Sequence, residues 1–124
     1  MLDFNNANFF KLKKVSEDEF SKMVSPTLIN GESVISSYRG VRDGVVFTNK
    51  RLIAINVQGI TGKKKDFTSL PYSKIQAYSI ETAGVWDLDS ELTLWFSGLG
   101  KVKLEFTSNC NVMEISKHIS EVLL

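Results

Sequence analysis

At 124 residues the chain holds one ordinary domain and is too short for two. Its 43% hydrophobic and 23% charged residues are those of a folded protein, which excludes a disordered chain. Lys plus Arg number 15 and Asp plus Glu 14, a net charge of +1, so the basic excess with which a general nucleic-acid binder offsets phosphates is missing.

Residues 1–30 read as a helical segment. Ser16-Glu17-Asp18-Glu19 has the pattern of a capping box, with an acidic first turn that suits the helix dipole. Phe20, Met23 and Val24 follow as an apolar stripe, and Pro26 ends it, because the residue before proline avoids helical angles. Phe9, Phe10 and Leu12 read as an earlier turn of the same cover. The start Met1-Leu2-Asp3-Phe4-Asn5-Asn6 lacks the basic and apolar regions of a signal peptide. The single Cys110 can form no internal disulfide, and no apolar run approaches the roughly 18 residues that span a bilayer. The expected compartment is a reducing cytoplasm.

Residues 31–108 read as strand after strand. Asn30-Gly31-Glu32 is a turn, Val34 to Tyr38 a strand, and Gly40 to Gly44 a turn with Arg42-Asp43 at its tip. Val45 to Thr48 and Arg51 to Val57 form a hairpin reversed at Thr48-Asn49-Lys50-Arg51, where Asn49 tolerates the left-handed angles of a tight turn. Leu52 to Ile55 shows no alternation, so this strand is expected to be buried on both faces or to lie against a helix. Lys63-Lys64-Lys65 lies in a loop after Gly62, and Phe67 to Leu70 is a short strand stopped by Pro71. Lys74 to Thr82 is a longer strand, followed by an acidic loop from Gly84 to Ser90. Leu92, Leu94 and Phe96, then Val102, Leu104 and Phe106, alternate with polar neighbours around a turn at Gly98 to Gly100, the period of a half-wet antiparallel sheet. From 109 to 124 the period becomes helical. Val112, Ile115, Ile119, Val122 and Leu123 share a stripe behind Asn111 as N-cap, with Glu114 three residues on.

A short helix, about seven strands and a terminal helix make a mostly β fold, a strongly bent sheet whose open end the last helix covers. This order resembles the bacterial pleckstrin-homology-like domain family. The resemblance is carried by Phe47-Thr48-Asn49-Lys50-Arg51-Leu52-Ile53, with Gly31-Glu32, Tyr38 to Gly44, Leu70-Pro71-Tyr72-Ser73-Lys74-Ile75, Ile80 to Gly84 and Asp87 to Leu92 in the same order, over nearly the whole chain. It implies a seven-stranded antiparallel PH-like sheet capped by the C-terminal helix. It further implies a non-enzymatic module without cofactor that closes into a homo-oligomeric ring, five-fold as the best reading, and presents a hydrophilic surface to a protein partner. Eukaryotic relatives bind phosphoinositides through a basic pocket, which makes an anionic lipid head group the alternative partner.

The candidate residues follow from charge. Arg39 with Lys63, Lys64 and Lys65 are the candidate anion contacts, although Asp43 and Asp66 dilute the field and edge lysines also serve to discourage strand pairing. Arg42, Asp43, Lys50, Arg51, Glu81, Asp87, Asp89 and Trp95 are the candidate subunit or partner contacts, acids of one copy meeting bases of the next. Asp87-x-Asp89-x-Glu91 lacks the ligand count of a calcium loop, so no metal is expected. His118 has no base-orienting group beside it and Cys110 no base, so no catalytic residue is expected. Trp95 faces away from Leu92, Leu94 and Phe96 and is expected under the N-terminal helix or a neighbouring subunit.

Overall fold

The alternation that begins at Ser90 governs half of the molecule. Inward Leu92, Leu94 and Phe96 stack on inward Val102, Leu104 and Phe106 across an antiparallel ladder. The computed structural model describes residues 1, 3 and 7–124. Its elements are β1 (Ala7–Val15), α1 (Ser21–Val24), a 3-10 turn (Ser25–Thr27), β2 (Val34–Arg39), β3 (Asp43–Thr48), β4 (Arg51–Gln58) and β5 (Lys64–Pro71). A second 3-10 turn (Tyr72–Lys74), β6 (Ile75–Glu81), β7 (Ser90–Phe96), β8 (Gly100–Phe106) and α2 (Val112–Leu123) complete the chain. All strands belong to one eight-stranded sheet of order β5-β4-β3-β2-β1-β8-β7-β6. The mostly β, bent-sheet architecture expected from the sequence is therefore present, with one strand more than the seven expected.

The extra strand is β1, where the sequence suggested a helical turn. Phe9 and Leu12 are three apart, a helical spacing, yet both are buried in the sheet's core while Phe10 between them is exposed. A bulge reconciles these facts. The pairing of β1 with β8 shifts register between Phe9 and Leu12, and Lys11 takes a positive φ of 54°. One extra residue thus turns Leu12 to the same face as Phe9. β1 runs antiparallel to β2 and parallel to β8, so it joins two halves that the sequence alone had left unlinked and makes one parallel pair in an otherwise antiparallel sheet. The expectation of helix at residues 2 and 4–6 lies outside the described residues.

The capping box also departs from expectation. Ser16 Oγ accepts from the Asp18 N–H in a local turn, and Glu19 turns outward to Arg39 instead of back to residue 16. α1 is consequently only four residues long. Its stripe nevertheless packs as expected. Phe20 and Val24 bury against Val46, Ile53 and Ile55 on the convex face of β3 and β4. On the other face Leu52 and Ala54 enter the main core with Phe47, Leu70 and the α2 residues Val112, Ile115 and Ile119. β4 is buried on both faces, which accounts for its unbroken apolar run. Gly44 belongs to the same contact, since a Cβ there would lie 2.5 Å from Phe20 Cζ.

α2 is capped by Asn111, whose Oδ1 accepts the Glu114 N–H at 3.2 Å. Val122 falls off the buried stripe and is exposed. Tyr78 Oη and Ser120 Oγ lie 2.6 Å apart and pin the helix to β6. The two ends of the sheet, β5 and β6, follow each other in sequence and do not pair. Among the described residues neither has a strand partner on its outer side.

Candidate functional site

The Thr48-Asn49-Lys50-Arg51 turn is a polar knot. Thr48 Oγ1 accepts the Lys50 and Arg51 N–H groups, each at 3.0 Å, and donates to Glu32 Oε2 at 2.7 Å. Asn49 Oδ1 accepts the Ser33 N–H at 2.9 Å and its Nδ2 donates to the Gly31 carbonyl at 2.8 Å. Among the described non-glycine residues only Lys11 has a positive φ, so the expected left-handed Asn49 is not found. Its side-chain amide, not its backbone freedom, suits it to this place. The Arg51 guanidinium grips the Glu32 carboxylate through Nε and Nη2 at 2.9 Å each, and also donates to the Thr27 carbonyl at 2.6 Å and to Ser69 Oγ at 2.8 Å. The Glu32 side chain is 0% exposed. Burial pushes its carboxyl up, but the bonds from Arg51, Thr48 and the Ile29 N–H outweigh that and hold it below the usual 4.5. The Thr48 carbonyl accepts Tyr72 Oη at 2.7 Å, and His118 Nε2 stands 3.1 Å from it, its ring edge-on to Tyr72. The turn therefore ties β3, β4, the segment before β2, the 3-10 turn at Tyr72 and α2 to one point. Arg51 is engaged within its own chain, whereas Lys50 is exposed.

The basic candidates do not converge. Arg39 pairs with Glu19 at 2.7 Å and lies 4.8 Å from the centre of the Phe20 ring. Arg42 donates to the Gly59 carbonyl at 2.6 Å. Asp43 begins β3 instead of standing at the turn tip, which is Gly40 to Arg42, and burial raises its carboxyl above the usual value. Lys64 and Lys65 extend β5, paired with Gln58 and Val57, so the loop expected there is shorter than the sequence suggested. Lys63, Lys64 and Lys65 are exposed and have no carboxylate partner among the described residues.

The acidic candidates lie at the other end of the sheet. Glu81 ends the open β6 edge and is exposed. Asp87 accepts the Asp89 N–H at 3.0 Å, and Asp89 pairs with Lys11 at 2.6 Å, which draws its carboxyl down. Trp95 is 37% exposed on the outer face, between cross-strand neighbours Ala77 and Lys101. α1 covers the opposite half of the sheet, so Trp95 is not beneath it.

Sequence reasoning passed over the anchoring roles of Glu32, Thr48 and His118. Glu32 and Thr48 sat inside the quoted motifs. Their signal was a carboxylate and a hydroxyl next to turn glycine and asparagine, sites where side chains bond backbone. Burial raises the Tyr38 hydroxyl to about 12 and Tyr72 further, so both stay protonated donors. Among the described residues no group of three or more His, Cys, Asp or Glu gathers to hold a metal, and no helix is long and apolar enough to cross a membrane.

A bent sheet with its core plugged by a C-terminal helix defines a pleckstrin-homology-like fold. The chain belongs to the Bacterial PH domain family, whose model matches residues 3–123. It is 46% identical over 99 residues to YjqA of Bacillus subtilis (strain 168), covering 78% of this chain and 79% of that one. It is 31% identical over 109 residues to YozO of the same organism, covering 88% and 94%. A solved DUF1696-family protein with a pleckstrin-homology domain from Shewanella loihica PV-4 superposes with a TM-score of 0.81 at 40% identity, covering 93% of this chain and 99% of that one. A pleckstrin-homology domain from Shewanella amazonensis SB2B gives 0.68 at 40% identity over 89% and 90%.

Proposed function

We propose that the protein is a non-enzymatic, cytoplasmic assembly module that closes into a homo-oligomeric ring, five-fold as the favoured count, and offers its hydrophilic outer surface to a protein partner. The observation that carries this reading is the pair of unlike open edges. β5 begins with Lys64 and Lys65, and β6 ends at Glu81 before an acidic loop. A contact between unlike surfaces is heterologous and closes into a ring when its rotation fits. Lys50 and Trp95 remain candidate contacts on that surface, and Arg51 supports it from within. Light scattering after size-exclusion chromatography tests the reading. A closed multimer is expected at micromolar concentration, and a clean monomer would refute it.

One observation favours a second reading, a surface adaptor for anionic lipid. Lys63, Lys64 and Lys65 stand exposed without carboxylate partners among the described residues. Co-sedimentation with phosphatidylserine vesicles tests it. Binding lost when all three become Glu supports the adaptor, and binding that survives the change removes these lysines as its basis.

A further inference from the structure

On the ring reading above, we infer that the loop 82–89 of one copy, led by Trp86, docks on the adjacent turn tips Val41 and Ile60 of the next copy. Three residues of this loop are exposed apolar side chains: Val85 at 86%, Trp86 at 97% and Leu88 at 60%. The loop is nonetheless held in shape. The Gly84 N–H donates to the Asp87 carbonyl at 2.7 Å, and Asp89 at its base is fixed to Lys11. An ordered turn that keeps a tryptophan and two aliphatic side chains in water is the mark of an interaction surface.

The receiving surface lies at one end of the sheet's other half. Val41 is 91% exposed and Ile60 105% exposed, each at a hairpin tip. The two tips are bound together by Arg42 Nη2 to the Gly59 carbonyl at 2.6 Å and by the Val57 N–H to the Arg42 carbonyl at 3.0 Å. The two tips thus lie side by side, each with its apolar side chain in water, and Lys63, Lys64 and Lys65 follow the second tip. The docking loop brings Asp87, with Glu81 just before it. Apolar side chains thus face apolar side chains, and carboxylates face ammonium groups.

Strand geometry makes the two surfaces meet. With β6 of one copy antiparallel to β5 of the next and Glu81 opposite Lys65, the chain beyond Glu81 runs past the start of β5, where Ile60 and Val41 lie. Each copy carries one loop and one receiving pair at different places, the arrangement from which closed rings are built.

The test uses Trp86→Ala, a change at a side chain that touches nothing in its own chain closely, and Ile60→Asp. Truncation of a central tryptophan weakens such a contact by about thirtyfold or more. Each variant should keep the wild-type circular dichroism and elute as a monomer where the wild type is multimeric. Mixed in equal amounts they should form a dimer, because Ile60→Asp still supplies an intact loop and Trp86→Ala an intact receiving pair. Tryptophan emission of the wild type should shift to the blue as protein concentration rises, and that shift should be absent from Trp86→Ala. A Trp86→Ala protein that stays as multimeric as the wild type overturns the inference and leaves the ring reading intact. A monomeric wild type overturns both. A blue shift seen only on adding phosphatidylserine vesicles overturns the inference by assigning the loop to a membrane.

Discussion

Replacing Arg51 with Met keeps the length and apolar stem of the side chain and removes its charge. Four hydrogen bonds go with it, two of them to a Glu32 carboxylate that is 0% exposed. Breaking one side of a buried pair costs about 3–5 kcal/mol, because the remaining charge stays buried and unpaired. Arg51 itself is 19% exposed, which places the expected loss at the lower end of that range. For a chain of this size that lowers the melting temperature by roughly 10–15 °C. Urea unfolding followed by tryptophan emission measures the change. The pH dependence gives a second signature. In the wild type the Glu32 carboxyl is held below its usual 4.5, so its stabilisation is present above that pH and is lost as pH falls through the lower native value. In Arg51→Met only the Thr48 hydroxyl and the Ile29 N–H still oppose burial, so the carboxyl rises from its wild-type position, and the variant's deficit is largest at neutral pH and shrinks toward pH 4. Glu32→Gln combined with Arg51→Met should cost less than the two single changes summed. A deficit below about 1 kcal/mol, the scale of an exposed pair, would refute the claim that this pair locks the fold.

Gly44→Ala places a Cβ against Phe20 and should cost about 1–3 kcal/mol, with limited proteolysis quickening at residues 16–30 as the α1 cover loosens. Asn49→Ala removes bonds to the Ser33 N–H and the Gly31 carbonyl and should lower urea stability by about 1–2 kcal/mol without shifting the tryptophan emission of the native state. Asp43→Asn tests the opposite sign. Burial raises this carboxyl, so its charge opposes folding as pH rises above the usual 3.8, and the variant should gain stability at pH 7 and lose that gain at pH 3.

The strands from Val34 onward were legible because their residues obey simple periods, and β4 because a run without period has to be covered twice. The failures occurred where one residue changed the period. The bulge at Lys11 places Phe9 and Leu12 on one face, and that spacing imitates a helix. The capping pattern at Ser16 failed because Arg39, 20 residues away in sequence, took the Glu19 carboxylate that a capping box needs. The candidate residues were found by charge, which does not distinguish an arginine facing a partner from one facing a buried glutamate. Only the folded arrangement sets Arg51 against the Glu32 carboxylate. Trp86 and Ile60 were no more legible, since apolar letters in loops carry no sign of exposure until the turns that hold them are known.

The assembly is tested most directly by native mass spectrometry of the wild-type protein. A single closed stoichiometry, five copies on the favoured count, that persists on tenfold dilution from 10 µM is the predicted result. A monomer at that concentration, or a ladder of open-ended multimers, would contradict it.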